Sequence, residues 1–175
     1  LVENNVKSAT FFLSGSWAEQ HPNIVEKIAK AGYDIGLLGY DYLEYDNIED
    51  AKIRQDLLKA EEAMKKLNIN HKKLVRAPTG HFDSRFVKIA DQLGYSVVHW
   101  SIDSKDWKNP GVKKIVENIS KVKKGDIILL HASDSAKQTA VALPEIINLL
   151  QNKHLSLTSV SNMLIEGNAT TREIE

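Results

Sequence analysis

Short β-rich apolar runs alternate along this chain with stretches of helical periodicity, and that alternation restricts what it can fold into. Strands followed in turn by amphipathic helices imply parallel βαβ units, because parallel strands need a crossover long enough to hold a helix. Residues 8–15 (SATFFLSG), 34–39 (DIGLLG), 73–76, 95–102 (YSVVHWSI) and 126–131 (DIILLH) are the expected strands. The clearest helix spans 49–67, where Ile53, Leu57, Ala60, Met64 and Leu67 form one stripe at spacings of three and four. Asn47 with Asp50 is a candidate capping arrangement for it. Glu61, Glu62, Lys65 and Lys66 give i,i+4 pairs on its solvated face. Further helices are expected from Pro22 to Gly32, over 84–93 with Gly94 as the stop, around Val112, Ile115, Ile119 and Val122, and around Leu143, Ile146, Ile147 and Leu150.

Near-continuous apolar strands covered by helices fit an α/β barrel better than an antiparallel sandwich. About five strand–helix units fall short of a complete eight-stranded barrel. The 175 residues suit one domain over 1–165, followed by a frayed polar tail over 166–175. Lys+Arg and Asp+Glu are equal at 23 each, so no chain-wide field favours nucleic acid or an anionic membrane. No apolar run reaches the roughly eighteen residues of a membrane span. With no cysteine, disulfides, thiolate-ligated zinc and thiol nucleophiles are excluded.

In parallel α/β folds the ligand site lies at the carboxyl ends of the strands. Arg76, with Pro78 and Gly80, follows one expected strand; Asp103, Asp106 and Trp107 follow another; His131 closes a third. Together they form an acid–base set. His131 becomes a general acid if a carboxylate such as Asp106 fixes its tautomer and favours its protonated form. Arg76 has the donor fork to orient an anion, and Trp107 offers a stacking face for a sugar.

These same residues carry a resemblance. Arg76-Ala77-Pro78-Thr79-Gly80 is similar to the Arg-x-Pro-x-Gly motif of the polysaccharide deacetylases, carbohydrate esterase family 4. Asp103-Ser104-Lys105-Asp106-Trp107 resembles their Asp-x-x-Asp-Trp motif, and Ile128-Leu129-Leu130-His131 their Leu-x-Leu-His motif. Ala9-Thr10-Phe11-Phe12-Leu13 resembles the second strand. The likeness runs in order over about 1–164, and the sporulation-associated peptidoglycan deacetylase-like branch of bacilli is the most similar.

The resemblance implies a deformed (β/α) barrel, with the family's first strand belonging upstream of Leu1 and absent from this chain. It implies a substrate of N-acetylglucosamine polymers such as peptidoglycan or chitin, and an extracytoplasmic, wall-associated setting. Arg76 would orient the catalytic base, Asp106 would tune His131 as the acid, and Trp107 would wall the groove. Leu129 would line the acetate pocket, and the Thr79 backbone N–H would hold the oxyanion.

The family's cofactor is a zinc-type cation held by one Asp and a His-x-x-x-His pair. That pair aligns with Leu38 and Tyr42 in Gly36-Leu37-Leu38-Gly39-Tyr40-Asp41-Tyr42. Leucine has no lone pair, and a phenol with a pKa of about 10 ligates only after a costly deprotonation. Asp41, His81 and His99 are conceivable substitutes. The expectation is a homologue with no metal site and weak or lost activity. The alternatives are an active metal-dependent N-deacetylase with substitute ligands and a non-catalytic module binding cell wall or protein.

Overall fold

A computed structural model describes residues 1–167. In chain order the elements are β1 (Thr10–Leu13), α1 (Gly15–Gln20), α2 (Pro22–Lys30), β2 (Asp34–Leu37), α3 (Asp50–Lys66), β3 (Leu74–Val75), α4 (Ser84–Gln92), β4 (Ser96–Val97), β5 (Ile102–Asp103), α5 (Val112–Asn118), β6 (Ile128–Leu129), α6 (Thr139–Asn152) and α7 (Val160–Glu166). The chain divides into two compact units: Ser8–His99 with the segment from Ser159, and Leu1–Lys7 with Trp100–Thr158. Most of the expected polar tail, residues 168–175, lies outside the described residues.

In the larger unit four parallel strands stand in the order β1-β2-β3-β4. Thr10 to Leu13 pair with Asp34 to Leu37 in direct register, and Leu74 and Val75 pair with Ser96 and Val97. The expected stripe of α3 is borne out: Ile53, Leu57, Ala60 and Met64 are buried, with Ala63 beside them. Each such leucine or isoleucine contributes roughly 1.5–3 kcal/mol of burial. The solvated face carries its i,i+4 pairs, Glu61–Lys65 at 3.1 Å and Glu62–Lys66 at 3.2 Å.

Three local expectations are corrected. The N-cap of α3 is Glu49, with no side-chain bond, because Asn47 donates to Glu44 (2.9 Å) and Asp50 is engaged by Arg85 (3.1 Å). The strand expected over 8–15 spans only Thr10–Leu13, because Ser14 caps an unexpected α1, its hydroxyl accepting the Trp17 N–H. The single strand expected over 95–102 is two, β4 and β5. Between them Arg76 takes the backbone carbonyls of Val98 (3.2 Å, from Nε) and His99 (3.4 Å, from Nη2), groups an unbroken strand would give to its neighbours.

In the smaller unit β5 and β6 pair in parallel, Ile102 with Ile128 and Asp103 with Leu129. Ile115, Ile119, Val122, Ala142, Ile146 and Leu150 form its core, between α5 and α6 and onto the strands.

Candidate active site

β5 ends at Asp103, and the chain then winds through a 3₁₀ turn, Asp106–Lys108, that carries two of the expected residues. β6 ends at Leu129, two residues before His131. Because the strands are adjacent and parallel, their carboxyl ends deliver Asp106 and His131 to one place. The Asp106 side chain is fully buried. Its Oδ1 lies 2.7 Å from His131 Nδ1 and accepts the Trp107 N–H at 2.9 Å. Its Oδ2 accepts the His131 N–H at 2.7 Å and the Thr139 hydroxyl at 2.6 Å.

Burial alone would raise the Asp106 carboxyl. The donors from His131 and Thr139 outweigh it and bring the carboxyl down from 3.8 to about 2. An ionised carboxylate at Nδ1 fixes the proton there and leaves Nε2 as the working nitrogen. Thr139, the first residue of α6, was not among the expected site residues; it stands 33 positions from Asp106 and belongs to no motif. The only signal for it is a hydroxyl at the start of an apolar helix.

Leu129 is buried at 8% exposure, and its carbonyl accepts the Ser104 N–H at 3.4 Å. Trp107 is 48% exposed, with the Lys108 ammonium 4.8 Å from its ring centre.

Arg76 and Thr79 belong to the larger unit. Arg76 extends the sheet through its N–H to Leu37 (2.9 Å), and its guanidinium lies 4.2 Å from the Phe12 ring centre. Burial pulls that guanidinium down to about 10, so it remains charged at neutral pH. Thr79 sits in the turn closed by the Gly80 N–H on Ala77, and its hydroxyl accepts from the His81 backbone at 3.4 Å.

The positions aligned with the family's metal-binding histidines follow β2. Leu38 continues the ladder, donating to Leu13 at 2.9 Å. Tyr42 is 70% exposed. Asp56 of α3, almost fully buried, holds the loop between them: it accepts the N–H groups of Tyr40 (2.9 Å) and Asp41 (3.0 Å) and the Tyr45 hydroxyl (2.6 Å). Burial, with the adjacent Asp56 charge, holds the Tyr45 phenol far above its ordinary range, so it stays a donor. Of the conceivable substitutes, Asp41 and His81 are exposed, and the His99 ring stands edge-on to Phe82 at 5.5 Å. Among the described residues no group of three His, Asp or Glu side chains converges as a metal would need. An aliphatic side chain and an outward phenol do not fit a zinc-type cation.

These features define a parallel α/β protein with an aspartate–histidine pair at neighbouring strand ends. Residues 1–98 match the polysaccharide deacetylase family, and the chain belongs to it. A peptidoglycan-N-acetylglucosamine deacetylase of Bacillus cereus is 34% identical over 168 residues, covering 94% of this chain and 78% of that protein. A chitooligosaccharide deacetylase of Sinorhizobium fredii is 27% identical, covering 91% of this chain and 80% of that protein. Among solved structures, a CE4 family pseudoenzyme from Bacillus anthracis superposes with a TM-score of 0.85 at 27% identity, covering 94% of this chain and 57% of that one. A mutant of that protein described as having restored enzymatic activity superposes equally well, at 0.85. The fold class is therefore the (β/α) barrel type of these deacetylases, as expected; its described strands run in two ladders, β1–β4 and β5–β6.

Proposed function

We propose that this chain is a polysaccharide deacetylase homologue directed at N-acetylglucosamine polymers such as peptidoglycan or chitin, with hydrolysis weak or lost. Leu38 and Tyr42 carry this reading, the first offering only carbon and the second exposed on a loop pinned by Asp56. The Asp106–His131 contact supports a general-acid role for that imidazole, Arg76 directly after β3 would be the orienting cation, and the half-exposed Trp107 would wall the groove. By the resemblance, the Thr79 backbone N–H would hold an oxyanion, and Leu129 would line an acetate pocket. The similarity to a pseudoenzyme, one mutant of which is described as having restored activity, supports a loss confined to a few positions. An extracytoplasmic, wall-associated setting follows from the same substrate class.

Elemental analysis of the purified chain and acetate release from chito-oligosaccharides with added zinc test this. The expected result is sub-stoichiometric metal and acetate at the level of the buffer. Stoichiometric zinc, with turnover that disappears in His131→Ala, overturns it in favour of an active deacetylase using substitute ligands. That second reading draws on the intact Asp106–His131 pair.

A further inference from the structure

The zero net charge of the chain is not spread evenly. The smaller unit carries ten lysines and no arginine against seven carboxylates, and the larger unit holds the compensating acidic excess. Five of those lysines, Lys113, Lys114, Lys121, Lys123 and Lys124, fall within twelve residues of α5 and its connection to β6, all of them exposed. Glu117 neutralises Lys114 at 3.0 Å. The other carboxylate of the stretch, Asp126, is turned inward: Oδ1 accepts the Ser101 hydroxyl (2.8 Å) and Oδ2 the Lys123 N–H (2.8 Å). Among the described residues, Lys113, Lys121, Lys123 and Lys124 stand in no salt bridge.

The connection is a fixed turn. The Asp126 N–H donates to the Lys123 carbonyl at 3.1 Å, and Gly125 supplies the left-handed φ of +90° between them. Through Ser101 the same aspartate ties the turn to the start of β5, so these lysines lie at the amino ends of β5 and β6, opposite Asp106 and His131. α5 and α6 begin side by side: the N–H of Gly111, the N-cap of one, donates to the side chain of Gln138, the N-cap of the other (2.7 Å). Further along, Ile119 and Val122 share a core with Ile146 and Leu150. Their carboxyl ends therefore fall at the same end of the unit, which brings the exposed Lys153 to the turn's side. Lysines there ordinarily complement a helix dipole, but that effect is confined to the last turn. α5 ends at Asn118, so Lys123 and Lys124 stand beyond its reach.

We infer that Lys121, Lys123, Lys124 and Lys153 form a docking surface for a polyol-phosphate polymer, a flexible chain of singly charged phosphodiesters without bases. Ammonium groups are point charges with rotatable donors, suited to successive phosphates on a mobile chain; a planar, bidentate partner would call for the guanidinium fork that this unit lacks. No aromatic side chain stands within 109–131 to stack a nucleobase. The apolar residue among the lysines, Val122, is buried and so offers a bilayer nothing to insert. Docking at this end leaves the carboxyl ends of β5 and β6 uncovered.

Fluorescence anisotropy of a labelled glycerol phosphate oligomer, titrated with the chain, tests this. Wild type should bind with a Kd of about 10–100 μM in roughly 50 mM salt and weaken at least about tenfold in roughly 200 mM. Lys121→Gln/Lys123→Gln/Lys124→Gln should lose at least about tenfold, and the matching triple arginine variant should stay within about twofold of wild type. Lys27→Gln/Lys52→Gln/Lys88→Gln removes the same charge from exposed, unbridged lysines of the larger unit and should change affinity less than about twofold. Circular dichroism of each variant, unchanged from wild type, shows that the fold is kept. No binding by wild type overturns the inference, as does an affinity that survives in the first glutamine variant or falls equally in the second. A thymidine oligonucleotide of the same charge, or phosphatidylglycerol vesicles compared per accessible phosphate, that bind more tightly than the polyol phosphate overturn the choice of partner.

Discussion

Asp106 gathers donors from three separate stretches of chain: the backbone of Trp107, the ring and backbone of His131, and the hydroxyl of Thr139. The partnership with His131 was legible in sequence because both residues stand at strand ends inside recognisable motifs. The partnership with Thr139 was not, since a hydroxyl at a helix start has many ordinary uses. Thr139→Val, nearly isosteric, removes one donor from a buried carboxylate and should cost about 1.5–3 kcal/mol, measured by urea unfolding; Thr139→Ser should recover most of it. Acid should act through the same group. The Asp106 carboxyl titrates at about 2 in the fold against 3.8 ordinarily, so the unfolded chain binds its proton more readily. The stabilisation is complete above about pH 5, where both forms are ionised, and is lost as pH falls through 3.8 toward 2. Its size is about 2 kcal/mol. The stability gap between wild type and Asp106→Asn should therefore narrow from pH 6 to pH 2.5. A gap that stays constant across that range would show that the carboxylate charge is not what the donors hold.

At the scale of elements, periodicity and composition located five of the seven α-helices among the described residues, missing the short α1 and α7, and two further departures fell where a side chain took over the backbone's partners. Arg76 divides the 95–102 run by claiming two carbonyls, and Asp56 folds the β2–α3 loop from a helix sixteen residues away. Neither has a local signature, because each acts across elements. Gly39 shows how tightly that loop is set. Its φ is +70°, and a Cβ there would press on the Tyr45 hydroxyl and the Asp56 carboxylate, the pair that fixes the loop. Gly94 has a similar φ of +76° but nothing within 4 Å. Gly94→Ala should thus cost only the left-handed strain, about 1 kcal/mol. Gly39→Ala should cost about 3 kcal/mol, strain plus collision, and lower Tm by about 9 °C for a chain of this size. Similar losses at the two sites, read by differential scanning calorimetry, would mean that the Asp56 arrangement yields easily.

For the molecule as a whole, the parallel α/β architecture was the most legible feature, since strand–helix alternation leaves few other folds open. What the chain does with that architecture turns on two side chains in one loop, and coordination chemistry makes a prediction that does not depend on turnover. A metal that binds only the folded state raises stability by RT ln(1 + [L]/Kd), about 2.7 kcal/mol at a hundredfold excess over Kd. Leu38 and Tyr42 supply no such site, so zinc and a chelator should both leave the wild-type Tm within about 1 °C. Leu38→His/Tyr42→His should behave differently. Tyr42 is exposed and free to change, Leu38 is only partly buried, and the backbone between them is already held by Asp56. The double variant should lose little stability without metal and gain several degrees with saturating zinc, reversed by the chelator. A zinc-dependent rise of that size in the wild type would mean that other side chains already bind the ion, and the assignment of lost metal chemistry to these two positions would fail.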